Sequence, residues 1–206
     1  MKKGCLIGSG IFAVIALLFL GFIFWGIGIN NQMIKFNNEV NLKWSNVESS
    51  YQRRSDLIPG LVAIVNKATN YEKETLTAVI EARAKATSVQ IDPSNLTPEK
   101  LAEFQQAQTG LSSAFGRLLA SFERYPDLKA NQNILALQNQ WEGTENRIKI
   151  DRDNFNQAVT DYNNYIQQIP KNIVANFRGF KEKGTFKADA GAEKAPDIDG
   201  LLNGTK

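Results

Sequence analysis

Any chemistry in this chain has to run on a short set of side chains. Its 206 residues include no histidine, and the only cysteine is Cys5. This excludes Ser-His-Asp and Cys-His catalysis, histidine-ligated zinc and disulfides within the domain. Glu142 and Glu145 stand three apart, close enough on a helix to share a face. Di-iron bundles pair such a glutamate with a histidine three residues on, and none is present. With Trp141 and Gly143 beside them, these glutamates read as a solvated face or as pairing between helices, and Trp44 and Trp141 as core residues. No catalytic, cofactor-binding or metal-binding residue is nominated. An enzyme would depend on Asp, Glu, Lys, Tyr or Ser alone.

Charge of both signs gathers at two places, Arg53, Arg54 and Asp56, then Glu123, Arg124, Asp127 and Lys129. Such residues can cap helices and pair across turns, at ~0–1 kcal/mol for each exposed pair, or form a recognition surface. The net charge of +3 is spread along the chain and leaves no nucleic-acid footprint.

The element that must carry these groups is Leu6 to Ile29, LIGSGIFAVIALLFLGFIFWGIGI, without one charged residue. As a helix it is about 36 Å long, enough to cross a hydrocarbon core of ~30 Å. A signal peptide has a shorter apolar core and a small-residue cleavage site, which NNQMIKFNN does not offer. A retained single-pass anchor is expected, preceded by a basic cap, 1–5. Cys5 reads as a small apolar residue at the helix start, with palmitoylation as the alternative.

Beyond the anchor, Met33, Phe36, Val40, Trp44, Val47 and Tyr51 recur at helical spacing. The first helix is expected to run to about Arg54 and stop near Ser55-Asp56, with Pro59 in the first turn of the next. That second helix would carry Leu61 to Ala86 and end before the loop Gln90 to Pro98. Thr97 and Pro98 open a third helix, whose face is Leu101, Phe104, Gln108, Leu111, Phe115, Leu118, Phe122 and Tyr125. A fourth is expected from Asp127 to Ile169, interrupted only by Gly143. The simplest packing is an all-α, antiparallel four-helix bundle of long helices behind the transmembrane helix. The bundle would span 30–187, with a mobile tail over 188–206.

Several stretches carry a resemblance: SYQRRSDLIPGLV (Ser50 to Val62), ERYPDLKANQN (Glu123 to Asn133), KWSNVE (Lys43 to Glu48), EARAKA (Glu81 to Ala86), TENRI (Thr144 to Ile148), FNQAVTDYN (Phe155 to Asn163) and IPKNIVANFRGF (Ile169 to Phe180). Together they resemble the LemA family of single-pass bacterial membrane proteins. The resemblance implies a four-helix bundle behind a membrane helix and no established enzymatic activity. Gly60 stands where the family usually has asparagine. Lys73 stands where a histidine commonly precedes the glutamate, here Glu74.

If the first helix leaves the membrane and turns near Arg53 to Pro59, that turn meets Glu123 to Asn131 at a membrane-distal tip. The tip would then hold Arg53, Arg54, Asp56, Glu123, Arg124, Asp127 and Lys129 as an interaction surface. Lengths conflict with this: Asn30 to Arg54 is about 37 Å of helix, but Asp127 to Ile169 is about 64 Å. After Pro170, Phe177, Arg178, Phe180, Lys181 and Lys183 either lie on anionic headgroups or pack against the base of the bundle. Positive-inside counting leans to the N-terminus inside and the bundle outside. The function expected is a scaffold or interaction module at the cell envelope, with the bilayer through 6–29 and a protein as partners. No small-molecule substrate and no cofactor is inferred. The rivals are a regulator or sensor of a membrane partner, such as an envelope protease, and an enzyme.

Overall fold

In the computed structural model, residues 2–68, 73–126 and 130–188 are described, and among them the chain is helical, without a strand. The order is α1 (Lys2–Ala68), α2 (Lys73–Ser88), a 3-10 turn (Pro93–Asn95), α3 (Pro98–Ser121), a second 3-10 turn (Phe122–Arg124), α4 (Gln132–Gln167) and α5 (Lys171–Arg178). α4 runs antiparallel along α1, α2 packs on α3, and α5 touches both α1 and α4.

α1 is one helix from the apolar run into the helical domain. The most apolar 18 residues of this helix are nowhere covered by protein. A core helix of a soluble protein would be wrapped by its neighbours, so this exposure fits a single-pass membrane protein.

The expected stop at Ser55-Asp56 does not occur, since α1 passes through Pro59 and ends at Ala68. Proline inside a helix removes one N–H and leaves the carbonyl four residues back without its donor, at ~3 kcal/mol or more. That carbonyl belongs to Ser55, and Arg83 of α2 supplies the missing donor from Nε at 2.9 Å. Ile58, Leu61 and Val65, all buried, then hold the helix beyond the proline against its neighbours. The expected second helix is therefore two pieces, the end of α1 and α2.

This moves the distal end outward and resolves the conflict of lengths. From Asn30 to Ala68, α1 extends about 58 Å, and the 36 residues of α4 extend about 54 Å. α4 begins at Gln132 rather than Asp127, with the Asn131 side chain accepting from Asn133 N at 2.9 Å, and it is unbroken at Gly143. Asp127 and Lys129 lie outside the described residues, as does nearly all of the expected tail. α3 starts where expected, its N-cap Thr97 accepting from Lys100 N, and Leu101 to Phe122 bury the expected face.

Two apolar clusters fill the interior. The membrane-proximal one joins Ile29 to Tyr51 of α1 with Phe104, Phe155, Tyr162 and Ile166. The distal one joins Ile58 to Val65 with Leu76, Leu111, Phe115, Phe122, Ile134 and Trp141. A polar layer lies between them.

After α5 the chain turns on Gly179, whose φ of 77° suits glycine, and runs upward as an extended strap, 180–187. Two asparagines of α4 pin it as a neighbouring strand would. Asn163 bonds both Lys183 N (3.0 Å) and Lys183 O (2.8 Å), and Asn156 does the same for Phe186 N (2.9 Å) and O (3.0 Å). Phe186 thereby enters the proximal core against Trp44 and Phe155. Gly184 passes so near α3 that a Cβ would meet Pro98 N at 2.8 Å.

Candidate functional site

Three places hold the residues singled out from sequence, and the polar layer is the most deeply built. It centres on Arg54, only 2% exposed, one and a half turns before Pro59. Its guanidinium donates to Gln108 O (2.9 Å) and Oε1 (2.6 Å), Ser112 Oγ (2.6 Å) and Glu145 Oε1 (2.8 Å). Ser112 Oγ also donates to Glu145 Oε1 at 2.8 Å, and Gln108 Nε2 to Ala86 O at 3.1 Å. Nε is the guanidinium nitrogen left without an acceptor, and the rings of Tyr51 and Trp141 lie 5.0 and 5.5 Å from Cζ.

One cation thus gathers acceptors from α3 and α4 on the axis of α1. The planar fork of arginine suits this work, and a lysine could not reach all four acceptors at once. Sliding any of these helices by a turn would leave a buried charge unpaired, so the layer fixes one register. One turn nearer the membrane, Ser50 Oγ donates to Asp151 Oδ2 at 2.5 Å and Arg147 Nε donates to the same oxygen at 3.1 Å.

A groove reaches the layer from the side, lined by Glu48, Tyr51, Gln52, Ser55 and Gln108 among others. Partial burial raises the Glu48 carboxyl above its ordinary 4.5. The nearby Trp44 indole N–H acts in the opposite direction without reversing the shift. Among the described residues, no group of three or more His, Cys, Asp or Glu could hold a metal ion.

The second place is the distal end. Glu123 and Arg124 lie there, exposed in the 3-10 turn after α3, and line a groove with Glu74, Thr75 and Arg117. Arg53, Arg54 and Asp56 do not join them. The continuation of α1 to Ala68 leaves these three about 18–23 Å short of its far end. Arg53 and Asp56 are exposed on the shaft, Asp56 accepting from Gln52 Nε2 at 2.8 Å, and Arg54 is interior.

The third is the base, where α5 and the strap meet α1. Phe177 is 89% exposed, and Arg178 donates from Nε to Asn30 Oδ1 at 2.9 Å. Phe180 packs against the proximal core, and Lys181 is exposed. Lys183 is not at the surface. It is buried, with Nζ donating to Pro93 O at 2.8 Å, because Asn163 draws its backbone onto α4. Burial lowers its pKa from 10.5, and the Asp92 carboxylate opposes that shift.

The family profile described as LemA matches residues 43–199, from just before Trp44 through the layer and the strap. The chain belongs to the LemA family. Protein LemA of Metamycoplasma hominis is 27% identical over 178 residues, covering 86% of this chain and 78% of that one. Magnetosome protein MamQ 2 of Paramagnetospirillum magneticum is 24% identical over 174 residues, 76% of this chain. Magnetosome protein MamQ of Magnetospirillum gryphiswaldense is likewise 24% identical, over 173 residues. The match spans 64% of the length of each of these MamQ proteins, just under two thirds.

In this LemA-family chain the family-like stretches land on the features just described. SYQRRSDLIPGLV supplies Ser50, Arg54 and the Ser55–Pro59 gap, and EARAKA supplies Arg83, which closes it. TENRI supplies Glu145, and FNQAVTDYN supplies both asparagines of the strap. Spacing puts Gln108 on the inward face of the third helix, but its part as an acceptor for Arg54, like that of Ser112, carries no signal without the partner helices.

Proposed function

We propose that this protein is a membrane-anchored, antiparallel four-helix bundle that acts as a scaffold or interaction module at the cell envelope, with the bundle on the outer side. The observation that carries the reading is the continuity of α1. One helix passes from an apolar run uncovered by protein to the far end of the domain. Any surface at that end is thereby held about 58 Å from the bilayer, a geometry that serves presentation more than turnover. The register-fixing charge layer supports it, since a rigid shaft needs its helices locked. The groove holding Glu123 and Arg124 is the proposed docking surface for a protein partner, with charge of both signs to set specificity.

The test is photo-crosslinking in intact cells from the full chain, with the photoreactive residue at Glu123 or Arg124 and, as reference, at Ile150 on the shaft. A discrete protein adduct from the distal positions but not from Ile150 supports the reading. Absence of any distal adduct, together with turnover by the purified protein that a single carboxylate change abolishes, would overturn it. A membrane-impermeant maleimide, comparing Cys5 with a Cys5→Ser, Asn203→Cys variant, reads the side of the bundle. Labelling of the tail cysteine alone places it outside.

A further inference from the structure

We infer that the exposed edge of α5 rests in the headgroup–acyl boundary of the bilayer that α1 crosses, giving the domain a second attachment to its membrane. Ile173 and Phe177 stand four apart on α5 and are 65% and 89% exposed, and Ile169, in the turn that leads into the helix, is 84% exposed. The opposite side of α5 is already occupied: Ala175 is buried in the proximal core and Val174 packs against it. α5 is therefore amphipathic in the reverse of the usual sense, with protein on one face and an uncovered apolar row on another.

α1 identifies what covers the row. Arg178, next to Phe177 in the chain, is bonded to Asn30, the first residue after the apolar run. Ala175 shares its cluster with Ile29 and Met33 on either side of that point. α5 thus stands at the level where α1 emerges. A run of about 36 Å exceeds a hydrocarbon core of ~30 Å, so this level falls within the headgroup region. Aliphatic and aromatic side chains enter that region, while Lys181, exposed just after α5, can meet lipid phosphate. The corresponding surface higher on the shaft shows single apolar residues such as Ile150, not a row.

The inference rests on α1 being in the bilayer, and the experiment separates the two. The full chain carrying Cys5→Ser receives one cysteine at a time, as Ile173→Cys, Phe177→Cys, Leu18→Cys or Ile150→Cys. Each is labelled with an environment-sensitive nitrobenzoxadiazole dye and reconstituted into phosphatidylcholine–phosphatidylglycerol vesicles. Labels at positions 173 and 177 should emit to the blue of the Ile150→Cys label and be quenched by a nitroxide placed shallow in the acyl chains. The Leu18→Cys label should be quenched best by a deep nitroxide. Water-like emission at 173 and 177 with lipid quenching at 18 would overturn the seating of α5 and leave the anchor standing. Water-like emission at 18 as well would overturn both. A blue shift at 177 that no lipid nitroxide quenches would mean that protein covers the row, and would also overturn it.

Discussion

Replacing Arg83 should bend or loosen α1 at a proline that Arg83 does not precede in sequence. The Ser55 carbonyl lacks its helical donor because residue 59 is proline, and Arg83 Nε donates to it at 2.9 Å. Arg83→Met keeps much of the aliphatic stem and removes the donor. A hydrogen bond from a charged group is worth ~1.5–3 kcal/mol, and Arg83 is only partly buried, so a loss of about 1.5–2 kcal/mol is expected. In a Pro59→Ala background the same change should lose less than about 0.5 kcal/mol, since the alanine returns an N–H to the Ser55 carbonyl. Pro59→Ala alone should be stabilising. The coupling in the double-mutant cycle is then about 1–2 kcal/mol. The assay is urea unfolding of the full chain in lipid vesicles, followed by the fluorescence of Trp44 and Trp141, both buried. Additive single and double variants would refute the account of how α1 survives its proline.

Three further outcomes are expected. Arg54→Ala should destabilise by about 2–5 kcal/mol, because Gln108 loses its cation and a cavity is left between the helices; Arg54→Met, which fills that space, should lose clearly less in the same unfolding assay, the partly exposed Glu145 turning to water in both. Gly184→Ala should cost about 1–3 kcal/mol, since its Cβ meets backbone atoms of Pro98 at 2.8 and 2.9 Å, and limited proteolysis should then cut the strap sooner. Burial raises the Tyr162 phenol above 10.0, so the folded state keeps a proton that the unfolded state releases; stability should fall as pH rises past 10.0, and Tyr162→Phe should flatten that fall while losing about 1 kcal/mol at neutral pH through its bond to Lys181 O.

What the sequence makes legible is whatever a single helix encodes by itself. The apolar run, the face of α3 from Leu101 to Phe122 and the cap at Thr97 depend on spacing and on local bonds. The position of the first turn is not legible, because a proline after a charged cluster reads as a helix start. Only the arrival of Arg83, 28 residues later in the chain than Ser55, makes that proline tolerable inside a helix. Arg54 is hidden in the same way: as a string, Arg53-Arg54 is a pair of surface cations, and the choice of which one turns inward is made by acceptors on α3 and α4. Lys183 looks like a headgroup ligand among other lysines until Asn163 fixes the strap. Ile169 passes for the last core residue of the fourth helix, because its spacing continues the apolar face, yet it is exposed in the turn after Gln167.

The continuity of α1 makes the helical domain a lever with its fulcrum in the bilayer. A change in tilt of roughly 10°, well within the range transmembrane helices adopt as bilayer thickness varies, carries the far end sideways by about 10 Å over an arm of about 58 Å. On the proposed anchoring, a change in membrane thickness at the root would displace the distal surface without any joint moving between them.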